Sequence, residues 1–393
     1  IFLLEIFLIT ISAIFLFQVF KSKEFFYFNN FFFKFFLIFY IYLLSNFVLQ
    51  IDKINTLSII FYFRYIIYTL AIYYFLDKKE KLFLNFLKTV LCCVIVLGLD
   101  AIIQSIFGTN LIGLKLIENN RASSFFGDEL ILGSYIFRIL PFIFVFLLLE
   151  NDNFPKTPKV ISMFLSFVII FLSGERTSLI LSLILLITYI FLFKEKKIIK
   201  ILKYLITILL IIFSLLLIFS KKYQHRFIFQ PLDDLSNNYK VTKDLLEGYS
   251  HEPKVLFFSG LHHNLMVTSF RIFENNKIFG SGPRSYRTEC HKYKINRFSC
   301  DRHPHNYYIQ LLSETGLIGV SCLILIYFLI IKELYLFYSQ NNKTDDFLKF
   351  CFLAFYFAAL WPIIPSGNFF NNWLCIIMFY SLGLFFYGKR YVK

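Results

Sequence analysis

Charge is scarce in this chain. Asp, Glu, Lys and Arg make up 17% of its 393 residues, against 58% hydrophobic residues that include 55 Phe. A soluble domain of this composition would expose far more apolar surface than folded monomers carry. There is no Gly-X-Y period and no polar tract, which excludes a collagen-like fibre and a disordered chain. The seven cysteines contain no Cys-x-x-Cys pair and no regular spacing with histidine, which speaks against a metal or dithiol motif. No internal repeat is visible, and repeats are a common mark of transporters. What the sequence has instead is a succession of apolar runs of about 20 residues, the length at which a helix crosses a bilayer.

These runs predict an all-α, polytopic transmembrane helical bundle. Eleven spans are expected, at 1–20, 31–50, 56–76, 86–107, 130–149, 159–174, 177–193, 201–220, 316–336, 347–365 and 371–388. The chain starts with Ile inside an apolar run. It is therefore read as lacking its true beginning, with one further helix upstream and about twelve in all. The net charge of +15 does not point to nucleic acid, because the lysines cluster in short loops between apolar runs. The KEKK connector at 194–197 is the most basic short loop, so it is expected in the cytoplasm. The loops at 77–81, 156–159 and 332–349 fall on the same side when spans are counted off. The segments 51–55, 108–129, 174–177, 221–307 and 366–370 then face outward.

Three parts follow: helices one to eight over 1–220, an extracytoplasmic catalytic loop over 221–307, and helices nine to eleven over 308–393. All seven histidines lie between His225 and His305, and the loop carries 14 Lys and Arg against 8 Asp and Glu. Within it, 265–276 reads as an amphipathic helix broken by the glycines and proline of KIFGSGP (277–283). Cys290 and Cys300 lie ten positions apart. A disulfide between them would clamp the loop just before His303, and two free thiols are the alternative. The other five cysteines sit in apolar runs as packing residues.

Charge at membrane depth is costly and marks function by default. Arg176, in SGERTS (173–178), stands at an outward hairpin that a neutral turn could serve; the alternative is snorkelling, with Glu175 balancing the charge. Arg64 and Arg138 lie deeper and read as structural pairs. Arg121 opens an outward loop, RASSFFGD (121–128), whose guanidinium fork suits phosphate oxygens. Arg284 follows the turn GSGP, which is no Walker loop. His303 and His305 bracket Pro304, and either could take a proton from an attacking hydroxyl. Metal binding is a poorer reading, since no third ligand has regular spacing. Asn306 opens a short surface helix. Glu314 either caps the turn into span nine or orients a histidine.

Four segments, RASSFFGDELILGSY (121–135), SGERTSLI (173–180), NNKIFGSGPRSYR (275–287) and HPHNYYIQLLSETGLIG (303–319), resemble in order the signatures of the O-antigen ligase and polymerase superfamily. Its members are integral membrane glycosyltransferases acting on glycans linked to a polyprenyl pyrophosphate. The resemblance implies a metal-independent transfer, without a cofactor, at the outer face of the inner membrane. It implies that His305 is the base, with His303 beside it, and that Arg176, Arg121 and, less firmly, Arg284 bind the pyrophosphate. The implied partners are an undecaprenyl-pyrophosphate-linked glycan donor, a lipid A core or other glycan acceptor, and membrane lipids. Ligase is the leading reading. The alternatives are a polymerase joining carrier-linked repeat units and, more remotely, a transporter, a lipid flippase or a scaffold. A transporter would carry charge along several mid-membrane faces, whereas here it gathers at one face.

Overall fold

The computed structural model describes residues 2–51, 57–117, 121–149, 154–193, 196–233, 260–294, 300–339 and 347–391. Among these, fourteen α-helices form: α1 Phe2–Ser22, α2 Phe31–Leu49, α3 Arg64–Lys78, α4 Lys81–Phe107, α5 Leu132–Leu148, α6 Lys156–Leu172, α7 Arg176–Leu192, α8 Lys196–Phe219, α9 Lys221–Gln224, α10 Gly260–Asn275, α11 Tyr286–Tyr293, α12 Tyr307–Ser339, α13 Phe347–Ala359 and α14 Asn372–Tyr391. No strand forms among the described residues, and two isolated bridges, Thr109 with Lys115 and Ile117 with Arg121, close the loop after α4. The protein is an all-α polytopic helical protein. Every expected span falls on a helix. Six segments reach spanning length on their own, those of α1, α2, α4 and α12, the stretch Leu57–Lys78 ending in α3, and Ile198–Leu215 within α8. The other five expected spans fall on shorter helices, α5, α6, α7, α13 and most of α14. The 17 residues of α5 cover roughly 26 Å at 1.5 Å each.

Parts of the expected loops lie outside the described residues: most of 51–55, Lys194 and Glu195 of the basic connector, 234–259 with His251, 295–299 and 340–346. The expected helix at 265–276 is α10. The expected surface helix is the first part of α12, which breaks at Gly316 (φ 64°, ψ −164°) before the apolar span.

Two compact units are formed. The first comprises Ile1–Lys79, Val241–Glu333 and Leu360–Lys393. Its helix starts are capped by asparagine: Asn30 Oδ1 accepts from Phe33 N at 2.7 Å before α2, and Asn371 Oδ1 accepts from Trp373 N at 3.1 Å before α14. An aromatic core of Phe15, Tyr27 and Tyr74 joins α1 to α3. Gly383 of α14 lets α3 approach closely, since a Cβ there would lie 2.8 Å from the Ile72 side chain. Arg64 is paired: its guanidinium meets Glu5 of α1 at 3.0 Å through two nitrogens. Outward faces keep Leu3, Phe7 and Phe17 exposed, as lipid contact requires.

The second unit comprises Glu80–Lys240 and Leu334–Ala359. Here α5 is buried on nearly every side, including Phe144, which stacks on Tyr189 of α7 at 4.1 Å. Gly98 of α4 receives Leu165 of α6 at 3.2 Å from where a Cβ would stand. Arg138 donates to the Ser134 carbonyl one turn back at 2.7 Å.

Candidate active site

The first unit carries the histidines on a loop built by backbone contact. Gly280 and Gly316 both have positive φ and touch main chain to main chain. A Cβ on Gly280 would sit 2.6 Å from Gly316 N, and one on Gly316 would sit 2.7 Å from Gly280 N. Only glycine fits such an approach. Hydrogen bonds stitch the two strands of chain together: Gly282 N donates to the Glu314 carbonyl at 2.8 Å, and Leu317 N donates to the Lys277 carbonyl at 2.9 Å. The buried Glu314 side chain completes the junction. Its carboxylate accepts from Tyr286 N at 3.1 Å, at the start of α11, and from Gln310 Nε2 at 3.1 Å. These contacts cap the start of α11, a role that the sequence reading of Glu314 did not name.

Gln310 continues the network. Its amide oxygen accepts from Phe369 N at 2.9 Å, and its nitrogen donates to Asn368 at 3.0 Å. Asn306 opens α12: Oδ1 accepts from Tyr308 N and Ile309 N at 3.0 and 3.1 Å, and Nδ2 donates to the Pro362 carbonyl at 2.8 Å. Asn306 therefore anchors the residue next to the candidate base.

That residue, His305, has φ 55°, a left-handed conformation that a non-glycine side chain rarely adopts. Its carbonyl accepts from Ser366 N at 2.7 Å, which holds it there. Its Nε2 lies 2.9 Å from Asp301 Oδ2. The hydrogen bond from His305 holds the Asp301 carboxyl down to about 2, so it is an anion at neutral pH. Two more rings surround His305: the His303 centroid at 4.1 Å and the His262 centroid, from α10, at 5.4 Å. Burial, followed by the neighbouring His305, pushes His303 down to about 3. His303 is thus a neutral wall at ordinary pH, whereas His305 is part-exposed and has a carboxylate partner.

Cys290 and Cys300 form a disulfide with Cα atoms 5.5 Å apart. Cys290 packs in a buried cluster with Leu265, Ile272 and Tyr286. His291 stands beside the two sulfurs, and these three side chains are the only group among the described residues with the spacing to share a metal. The disulfide occupies both sulfurs. Arg284, also at positive φ, donates to the Ser58 hydroxyl.

The second unit carries the other arginines, gathered on the α6–α7 hairpin. Gly174 makes its turn at φ 63°. Glu175, buried, accepts from Gly133 N at 2.7 Å and Ser134 N at 3.0 Å, so it caps the start of α5. Burial raises its carboxyl above the usual range, opposed by these bonds and by the Arg121 charge. Arg121 Nε donates to the Ser173 carbonyl at 2.9 Å. Arg226 Nε donates to the next carbonyl, that of Gly174, also at 2.9 Å. Arg176 is the first residue of α7 on the same hairpin.

The structure thus brings His303, His305 and Asn306 together in one unit, with Glu314 and Arg284 on the adjoining turn, and Arg121 with Arg176 in the other. Sequence reasoning missed Asp301 and Arg226. For Asp301 the available signal was its spacing of four from His305; for Arg226 it was a cation just past the end of an apolar span.

No curated protein matches the chain. The family model described as O-antigen ligase matches residues 161–324, which include the hairpin, the glycine turn and the histidine loop but not Arg121. Residues 161–324 of this membrane protein therefore belong to the O-antigen ligase and polymerase superfamily.

Proposed function

We propose that the chain is a glycosyltransferase of the ligase type. It moves a glycan from undecaprenyl pyrophosphate to a hydroxyl of an acceptor such as a lipid A core, at the periplasmic face of the inner membrane. The observation that carries this reading is a histidine held at positive φ with a carboxylate on its Nε2, inside a segment matched to O-antigen ligase. The acceptor oxygen bonds to the anomeric carbon as its proton passes to His305. The bond from that carbon to the pyrophosphate breaks, and the carrier leaves with the electron pair. A positioned base contributes roughly 10²–10⁴-fold to such a step. Arg121, Arg176 and, less centrally, Arg284 hold the charge that develops on the leaving group. The step as proposed draws this stabilisation from arginines and not from a metal.

The test is complementation. A full-length version is expressed in a cell deleted for its own ligase, and its lipopolysaccharide is run on a gel. A restored ladder on lipid A core supports the ligase; rescue only in a polymerase-deleted strain with a matching repeat unit would make it a polymerase. A His305→Ala variant that still restores the ladder would overturn the base assignment.

A further inference from the structure

The reading of His305 as base leaves open what fixes its proton. We propose that Asp301 is a positioning residue for His305, and that the Cys290–Cys300 disulfide holds Asp301 in register. This rests on the function proposed above.

The geometry supplies each link. Asp301 Oδ2 lies 2.9 Å from His305 Nε2. An ionised carboxylate can only accept, so Nε2 carries the hydrogen and Nδ1 is left with the lone pair that accepts the hydroxyl proton. When that proton arrives, the imidazolium carries its new charge against Asp301, which stays ionised throughout. The other groups facing His305 cannot do this. His303 and His262 offer rings, and Arg302 a like charge.

Asp301 itself sits in an exposed position and has no helix to hold it. Its neighbour Cys300 is bonded to Cys290, which is fully buried on α11. The start of α11 is in turn held by Glu314, whose carboxylate accepts from Tyr286 N. A continuous path therefore runs from Glu314 through α11 and the disulfide to Asp301, and Asp301 meets the ring of His305. Without the covalent link, an exposed carboxylate on a loop would sample many positions, and the tautomer of His305 would no longer be set.

The experiment uses the full-length protein reconstituted in lipid, with carrier-linked glycan and lipid A core from the strain in which it restores the ladder. Rates are measured against pH for the wild type, Asp301→Asn, Asp301→Glu, the Cys290→Ser/Cys300→Ser double variant and His305→Ala. The expectation for Asp301→Asn is a fall in kcat of roughly 10²-fold with KM for the donor unchanged, in line with the loss of an orienting carboxylate. The acid limb of its profile should move to lower pH, because Nε2 no longer faces a carboxylate at 2.9 Å. Asp301→Glu should recover part of the rate and the limb. The double cysteine variant should lose rate with the limb shifted in the same direction. A merely structural role would lower the amount of folded protein and leave the limb in place. If His305→Ala is inactive while Asp301→Asn keeps the wild-type rate and limb, the positioning role is wrong and the base survives. If His305→Ala stays active, the base itself is wrong. Should Asp301→Asn fail to accumulate, an unshifted limb in the double cysteine variant overturns the clamp.

Discussion

Replacing Gly316 by alanine tests the junction on which the histidine loop rests. At φ 64° and ψ −164° the residue occupies a region reserved in practice for glycine, and an L side chain there costs on the order of 1–3 kcal/mol. The new Cβ would lie 2.2 Å from the Ile278 carbonyl oxygen and 2.4 Å from its carbon. Those atoms are main chain and cannot rotate away. Reaching ordinary contact requires the two segments to part by more than about 1 Å. Such a shift stretches the bonds from Leu317 N to Lys277 and from Gly282 N to Glu314, each contributing about 1 kcal/mol. The expected total is about 3–5 kcal/mol. Gly108→Ala is the control: its φ is 81°, but nothing lies within 4 Å of the added Cβ. It therefore feels backbone strain alone. Thermal unfolding of the two full-length variants in detergent should rank Gly316→Ala well below Gly108→Ala, and limited proteolysis should open near 277–282 only in the former. Equal midpoints for the two variants would show that the main-chain contact of Gly280 and Gly316 does not hold the loop.

Other perturbations separate structure from binding. Arg121→Ala and Arg176→Ala should each raise KM for the lipid-pyrophosphate donor roughly 10-fold, a loss of about 1.4 kcal/mol, with kcat changed less; kinetics on reconstituted protein would show it. Asn306→Ala removes the cap of α12 and should cost about 1 kcal/mol of stability, read as a lower thermal midpoint with the donor KM unchanged. For pH, burial holds folded His303 down at about 3 while the unfolded side chain titrates near 6.5. Between these values the unfolded chain binds more protons, so stability falls as pH drops through that window. Asp301, held at about 2 against 3.8 when unfolded, adds stability above about pH 4 that is lost as pH falls toward 2. A His303→Gln variant should flatten the upper part of the unfolding profile and leave the lower part in place.

The helices were legible because a bilayer imposes one requirement, an apolar run long enough to cross, and Phe, Leu and Ile meet it visibly. How neighbouring elements join was harder: the expected surface helix opened by Asn306 and the ninth span form one element, α12, broken at Gly316. The site motifs could be picked out in order, since HPHN and SGER set polar residues directly against the start of an apolar run. Asp301 and Arg226 were not. Asp301 is an exposed acid in a loop without periodicity, and its partner is set by where a disulfide and a buried helix leave it. Arg226 follows α8 with no motif around it, and only the fold carries it to the Gly174 carbonyl.

Glu175 shows the deeper reason. Read along the chain, an acid next to Arg176 looks like its counter-charge. In the structure both its oxygens accept main-chain N–H groups of Gly133 and Ser134, and Ser178 adds a hydroxyl. Glu314 behaves in the same way at the start of α11. The first N–H groups of a helix have no partner within it, and away from water an unsatisfied one costs several kcal/mol. A neighbouring cation at an interface gains much less from a carboxylate, because water solvates it. Two of the buried carboxylates, Glu175 and Glu314, are therefore taken by helix starts. Sequence adjacency is then a poor guide to which groups an acid serves: both oxygens of Glu175 are engaged by the start of α5, while Arg121 and Arg226 donate to the hairpin carbonyls of Ser173 and Gly174.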